Sequence, residues 1–252
     1  MTKARFPMRR FTSLLFGLVV SASVSAAGGH EGLAPANTQV ANKAMLQRGA
    51  AMYMNYCAGC HSLKYLRYSR MAEDLGLTEE QVMENLAFSD TAKFGETINA
   101  AMTPKDGAAF FGKAPPDLSL SARSRGVDWV YNYLKSFYVD PTSATGWNNT
   151  ILANASMPHV LWELQGSQSA HYGEAKEAGA SPAVESLELT TPGLLSPAEY
   201  DAAVRDLVTF LEYAAEPAIL QRQAIGVWVL LYLALFTLIA WLLKQEYWKD
   251  VH

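Results

Sequence analysis

Cys57-Ala-Gly-Cys60-His61 holds the only two cysteines of the chain and sets a histidine directly after the second. A C-x-x-C-H run is a site for covalent attachment of a c-type haem. The two thiols add to the vinyl groups of the porphyrin, and the adjoining imidazole becomes an axial ligand of the iron. Two intervening residues let both sulfurs reach one edge of a macrocycle from a single helical turn. Other uses of C-x-x-C fit less well. A thioredoxin-like redox pair follows a buried strand, whereas Ala44 to Tyr56, just ahead of the motif, has a helical pattern. A zinc site needs four ligands, and His30, His159, His171 and His252 are scattered singly. A plain disulfide leaves His61 unexplained.

Outward from the motif, the 252 residues suffice for one or two domains, and much of the apolar content sits at the two ends. Residues 1–27 read as a secretory signal. Lys3, Arg5, Arg9 and Arg10 make a basic start, Phe11 to Val20 a short apolar core, and the small residues from Ser21 to Ala27 a cleavage site. That core is too short for the roughly 20 residues of a bilayer span. Without the signal the chain has 16 basic and 24 acidic residues, a formal charge of −8. This excludes nucleic acid as a partner and leaves an acidic surface able to steer a basic soluble protein. At the other end, Ala224 to Leu243 carries no charge and is long enough to span a bilayer once. Trp228, Tyr232, Trp241, Tyr247 and Trp248 lie where interfacial aromatics belong. Export of the N-terminal part and arrest at this span place residues 28–223 outside the cytoplasmic membrane. The tail, residues 244–252 with Lys244 and Lys249, is then inside.

Between the ends the pattern is helical with long loops. Met45, Gly49, Met52, Tyr53 and Tyr56 recur at the spacing of one helix face within residues 37–56. Thr78-Glu-Glu-Gln81 is a capping box that starts a short helix. Residues 95–116 are rich in Gly, Pro and Ala and read as irregular loop. Val127, Val130, Tyr131, Leu134 and Phe137 mark an amphipathic helix, after which residues 140–154 are loop again. Residues 165–186 are polar and acidic, a surface excursion. Ser196-Pro-Ala-Glu199 opens a helix that runs to about Tyr213 with Val204, Leu207, Val208 and Leu211 inward, and Glu216-Pro217 ends or kinks it.

Four stretches, taken together and in order, are more specific than the haem motif alone. They are Arg48-Gly49 with Tyr53, then Cys57-Ala-Gly-Cys-His-Ser-Leu-Lys-Tyr65, then Pro115-Pro-Asp-Leu-Ser119 with Arg123 and Arg125, and finally Asp206 to Pro217 leading into the span. Over roughly residues 38–252 the chain resembles the cytochrome c1 family in its bacterial form, the membrane-anchored c-type haem subunit of quinol–cytochrome c oxidoreductase (the cytochrome bc1 complex). The resemblance implies a mainly α fold: a class I cytochrome c-like haem domain with long loop insertions, plus one C-terminal transmembrane helix. In it, the Gly49/Tyr53 helix crosses the Phe210/Tyr213 helix over the haem. It implies one covalently bound haem c on Cys57, Cys60 and His61, with Arg123 at a propionate. It also implies a place in the bacterial inner membrane beside a cytochrome b subunit, with the haem domain on the periplasmic side. There a Rieske iron–sulfur protein supplies the electron, a c-type cytochrome accepts it, and the chain performs no substrate chemistry of its own.

The sixth iron ligand stays open. The resemblance points to a methionine just ahead of the last soluble helix, around Gly193 to Tyr200, where Leu194 and Leu195 stand. Met157, on a loop and followed by Pro158, is the last methionine in the chain. A thioether is the usual partner of histidine on a high-potential haem iron, although methionine also serves to fill gaps in a core. His159 is a second candidate, and bis-histidine ligation would lower the potential. If neither binds, an open iron with acid and base groups above it would make an anchored haem enzyme such as a peroxidase. Free thiols at Cys57 and Cys60 would instead make an anchored thiol oxidoreductase.

Overall fold

The computed structural model of the chain describes residues 32–89, 91–173 and 183–250, so the expected signal, residues 1–27, lies outside the described residues. The first helix among the described residues, α1 (Lys43–Tyr56), starts later than the apolar spacing from residue 37 suggests. Asn42 caps it in an extended conformation, its Oδ1 accepting from the Met45 N–H at 3.3 Å, and the chain turns just before it, the Asn42 N–H donating to the Gln39 carbonyl at 2.9 Å. After the haem motif come β1 (Leu63–Arg67), α2 (Tyr68–Leu75) and α3 (Glu79–Asn85). Both halves of the expected Thr78/Gln81 capping box are formed on α3.

Residues 95–116 are not all loop. They contain β2 (Thr97–Ile98), which pairs antiparallel with β1, and α4 (Pro104–Phe111). The start of α4 is chemically clear in retrospect: the Thr103 hydroxyl accepts from the Asp106 N–H at 3.2 Å and Pro104 sits in the first turn. Next are α5 (Ser121–Arg125) and α6 (Val127–Lys135). Phe137, expected on the face of α6, instead opens β3 (Phe137–Val139). The helix stops two residues short of it, where the Ser136 hydroxyl donates back to the Asn132 carbonyl and competes with the helical ladder. The expected loop 140–154 holds β4 (Trp147–Asn149), paired antiparallel with β3. A single turn, α7 (Trp162–Gln165), precedes β5 (Gly166–Tyr172), which forms a hairpin with β6 (Val184–Pro192) where a polar excursion was expected. Then α8 (Pro197–Ala215) opens on the capping box of Ser196 and Glu199, as expected, and stops at Glu216. Finally α9 (Ile219–Tyr247) extends the expected span at both ends.

The core forms where α1 meets α8. Gly49 allows the crossing. A Cβ there would lie 2.1 Å from the Asp206 carbonyl oxygen and 2.8 Å from the Phe210 Cβ, so only a bare backbone fits. Beside this contact the Arg48 guanidinium donates twice to the Asp206 carboxylate, at 2.5 and 3.2 Å. One turn along, the rings of Tyr53 and Phe210 meet at 5.7 Å. Tyr53, Phe210 and Tyr213 are fully buried, each worth roughly 2–3 kcal/mol by area. The half-exposed ion pair adds at most about 1 kcal/mol, so packing holds the crossing and the pair fixes its register. Among the described helices α9 stands apart: it is 29 residues long and contains an 18-residue stretch with a mean hydropathy of 2.4, none of it buried, long and apolar enough to cross a membrane.

Candidate haem site

The C-x-x-C-H motif is the C-terminal continuation of α1. The Cys57 and Ala58 N–H groups donate to the Tyr53 carbonyl, and the Cys60 and His61 N–H groups donate to the Cys57 carbonyl at 3.1 and 2.9 Å. This coil puts both sulfurs and the imidazole on successive steps of one turn. From inside the core, the Tyr53 hydroxyl donates to the His61 carbonyl at 2.6 Å and ties the turn to the crossing of α1 and α8. Cys57 is buried and Cys60 half-buried. Burial pushes the Cys57 thiol up to about 12. A thiol oxidoreductase attacks with an accessible thiol of lowered pKa, and the buried Cys57 is not one.

His61 is oriented from the other side. Its Nδ1 lies 2.7 Å from the Pro116 carbonyl oxygen. A carbonyl only accepts, so Nδ1 carries the proton and Nε2 keeps its lone pair. Burial holds the imidazole below its ordinary pKa against the opposing pull of Pro116 and Asp117, which keeps it neutral. A neutral ring with one nitrogen hydrogen-bonded and the other bare is the form in which histidine binds a metal. The Pro116 carbonyl is itself placed by a zipper of one backbone and two side-chain acceptors. Leu118 N–H donates to the Ser62 carbonyl at 2.9 Å, Lys64 N–H to Asp117 Oδ2 at 3.1 Å, and Tyr65 N–H to Ser119 Oγ at 3.2 Å. Thus the Pro115–Ser119 stretch lies alongside the strand that follows the motif. Sequence reasoning treated it as a rigid turn and missed that its carbonyl aims His61. The usable signal was the Pro-Pro pair, which has fixed φ and no N–H, so its carbonyls alone can bond. A cavity of about 300 Å³ opens beside Cys60 between Met102, Pro104 and Pro115. Two thiols and a bare imidazole nitrogen on one turn, with a cleft at the Cys60 edge, fit a covalently held haem.

The remaining predicted residues lie on other elements. Met157 is half-buried and packs on the main core from the loop between β4 and α7. Of the two residues at the expected methionine position, Leu194 is exposed and Leu195 packs half-buried on the core. His159 is buried, its ring stacked on Phe137 with centroids 5.0 Å apart and meeting Trp147 edge-on at 5.1 Å. Burial pulls its pKa down to about 4, so it is neutral. His171 is on the exposed hairpin, paired with Glu188 at 2.7 Å. Arg123, on α5, is largely exposed with its Nη1 3.9 Å from Glu216. Its neighbour Arg125 lies 5.0 Å over the Trp129 ring.

A helix that ends in a Cys-x-x-Cys-His turn, crosses the last helix of its domain through a glycine and has its histidine aimed by a proline carbonyl defines a class I c-type cytochrome. The chain matches the Cytochrome C1 family over residues 36–251, and it belongs to that family. It is 49% identical over 245 residues to cytochrome c1 of Allochromatium vinosum, covering 97% of this chain and all of the relative. It is 29% identical to cytochrome c1 of Rhodospirillum rubrum, over 82% of this chain and 81% of the relative. A protein of Nitrosomonas europaea named ammonia monooxygenase gamma subunit is 38% identical over 97% of this chain and all of its own length. Membership makes the chain an electron-carrier subunit of the cytochrome bc1 complex and implies a c-type haem.

Proposed function

We propose that the chain takes one electron from a Rieske iron–sulfur protein and passes it to a c-type cytochrome, working beside a cytochrome b subunit in the bacterial inner membrane. Cys57 and Cys60 would form the two thioether links, His61 would bind the iron through Nε2, and Met157 would be the sixth ligand. Arg123, exposed and only loosely paired with Glu216, can turn onto a propionate. Residues 1–27 would be removed on export, residues 28–223 would stand on the periplasmic side, and α9 would hold them to the membrane across residues 224–243. The observation that carries this reading is the Nδ1 contact of His61 with the Pro116 carbonyl, which leaves the opposite nitrogen as a fixed, neutral donor. Once attached, the haem supplies a one-electron Fe(III)/Fe(II) couple. What the chain's own residues contribute is the placing of ligands, the burial of Cys57 and the exclusion of water by the Tyr53, Phe210 and Tyr213 rings.

The test is a potentiometric titration of the haem-loaded protein and of Met157→Ala. A high potential that falls sharply on the substitution supports both the ligand and the Rieske-to-cytochrome role. A potential that ignores the substitution removes Met157 as ligand. A low potential in the unaltered protein would overturn the relay.

A further inference from the structure

The loop that carries Met157 is gripped at both ends by the β3–β4 ribbon. At its start, Asn148 Oδ1 accepts from the Asn154 N–H at 2.8 Å, and Asn149 Oδ1 accepts from the Ile151 and Leu152 N–H groups at 2.9 and 3.1 Å. Asn149 is 1% exposed, and its amide donates to the Tyr133 carbonyl on α6 at 2.8 Å. At its end, His159 is 2% exposed. Its ring lies parallel to Phe137, 5° between planes, and perpendicular to Trp147, 78° between planes. Phe137 is on β3 and Trp147 on β4, so the slot belongs to the ribbon and not to the loop. Beyond it, Leu161 is fully buried, and Gln165 donates to the Lys135 carbonyl at 3.1 Å.

A methionine side chain has three freely turning bonds, and ordering it costs about 1.5–2 kcal/mol. A thioether is a neutral, weak ligand, so its backbone must be placed for it. Pro158 fixes its own φ and drives Met157 into an extended conformation. The Cα of Met157 is therefore held within roughly 7 Å of the Cα of His159 across two stiff peptide units. Whatever fixes His159 also fixes Met157.

We propose that His159 is a positioning residue for the Met157 thioether, a flat wedge whose seat between Phe137 and Trp147 sets the loop at the register from which Met157 reaches the iron. This rests on the reading of Met157 as the sixth ligand. The slot reads the shape of a flat ring, so phenylalanine substitutes for histidine and alanine does not.

The test compares the haem-loaded full chain with Met157→Ala, His159→Ala, His159→Phe and Trp147→Ala. The readouts are the red absorption band that thioether ligation gives ferric haem, and the midpoint potential. Met157→Ala is expected to abolish the band and lower the potential. His159→Ala and Trp147→Ala are each expected to weaken the band and shift the potential in the same direction, and His159→Phe to retain both. If His159→Ala does not accumulate as a folded haem protein, Trp147→Ala decides, since it opens the slot from a strand that does not carry the ligand. A band lost in Met157→Ala but intact in Trp147→Ala and His159→Ala overturns the wedge and leaves the ligand standing. A His159→Phe protein as impaired as His159→Ala also overturns the wedge. A band that survives Met157→Ala overturns the ligand and the wedge together.

Discussion

At the scale of single residues, the site depends on atoms that do no chemistry. Gly49 is one. Its would-be Cβ meets helix backbone on α8, which cannot give way as a side-chain tip could. Gly49→Ala is therefore expected to cost about 3 kcal/mol through forced separation of the two helices, read as a lowered thermal midpoint of the haem-loaded protein. Tyr53 is another. Tyr53→Phe keeps the packing against Phe210 but strips the donor from the His61 carbonyl. A loss of about 1 kcal/mol with unchanged haem content is expected. The His171–Glu188 pair marks the opposite extreme. Both side chains are more than half exposed, and His171→Ala is expected to change stability by less than about 0.5 kcal/mol. If His171→Ala proved as costly as Gly49→Ala, the hairpin would be bearing load that its exposure denies.

At the scale of elements, caps were legible and strands were not. The boxes at Thr78/Gln81 and Ser196/Glu199 both formed because a cap is satisfied within four residues of chain. Ser196→Ala is expected to cost about 1 kcal/mol. The Ser196 hydroxyl and N–H hold the Glu199 carboxyl below its ordinary range. Its folded pKa being depressed, this contribution is complete above the unfolded value near 4.5 and is lost as pH falls through the folded one. The stability of the wild type should thus drop more steeply than that of Glu199→Gln below that pH. The three ribbons escaped sequence reading because each is short and two-stranded, and each exists only through a distant partner: Leu63 opposite Ile98, Phe137 opposite Asn149, Gly166 opposite Pro192. Phe137 continued the apolar period of α6 without a break, so periodicity alone could not tell it had left the helix. The crossing of α1 and α8, by contrast, was expected from the family resemblance that Gly49, Tyr53 and Phe210 help to carry, and a glycine on the apolar face of α1 fits a close approach. Cys57, Cys60 and His61 were legible as a motif. The carbonyl that aims His61 was not read, because its one mark on the sequence, the Pro115-Pro116 pair, says that a carbonyl is available without saying which distant donor it meets.

At the scale of the whole molecule, the haem domain and α9 share almost nothing. Of the α9 residues only Ile219 is buried. A chain ending at residue 218 is expected to keep its haem and its absorption spectrum while moving from the detergent to the aqueous phase on partitioning. Loss of haem on this truncation would mean that α9 supports the core. The connection itself is short: Glu216, Pro217 and Ala218 alone separate α8 from α9. Glu216 is gripped by Arg222 at 2.9 and 3.2 Å, with Arg123 3.9 Å away on the other side. Even a fully flexible leash of three residues would roam only about 10 Å, and this one contains a proline and a clamp. With α9 in a bilayer, the electron port is a mast and not a buoy. It stays at one height above the lipid, facing one way, and the search that brings donor and acceptor to it has to be made by them.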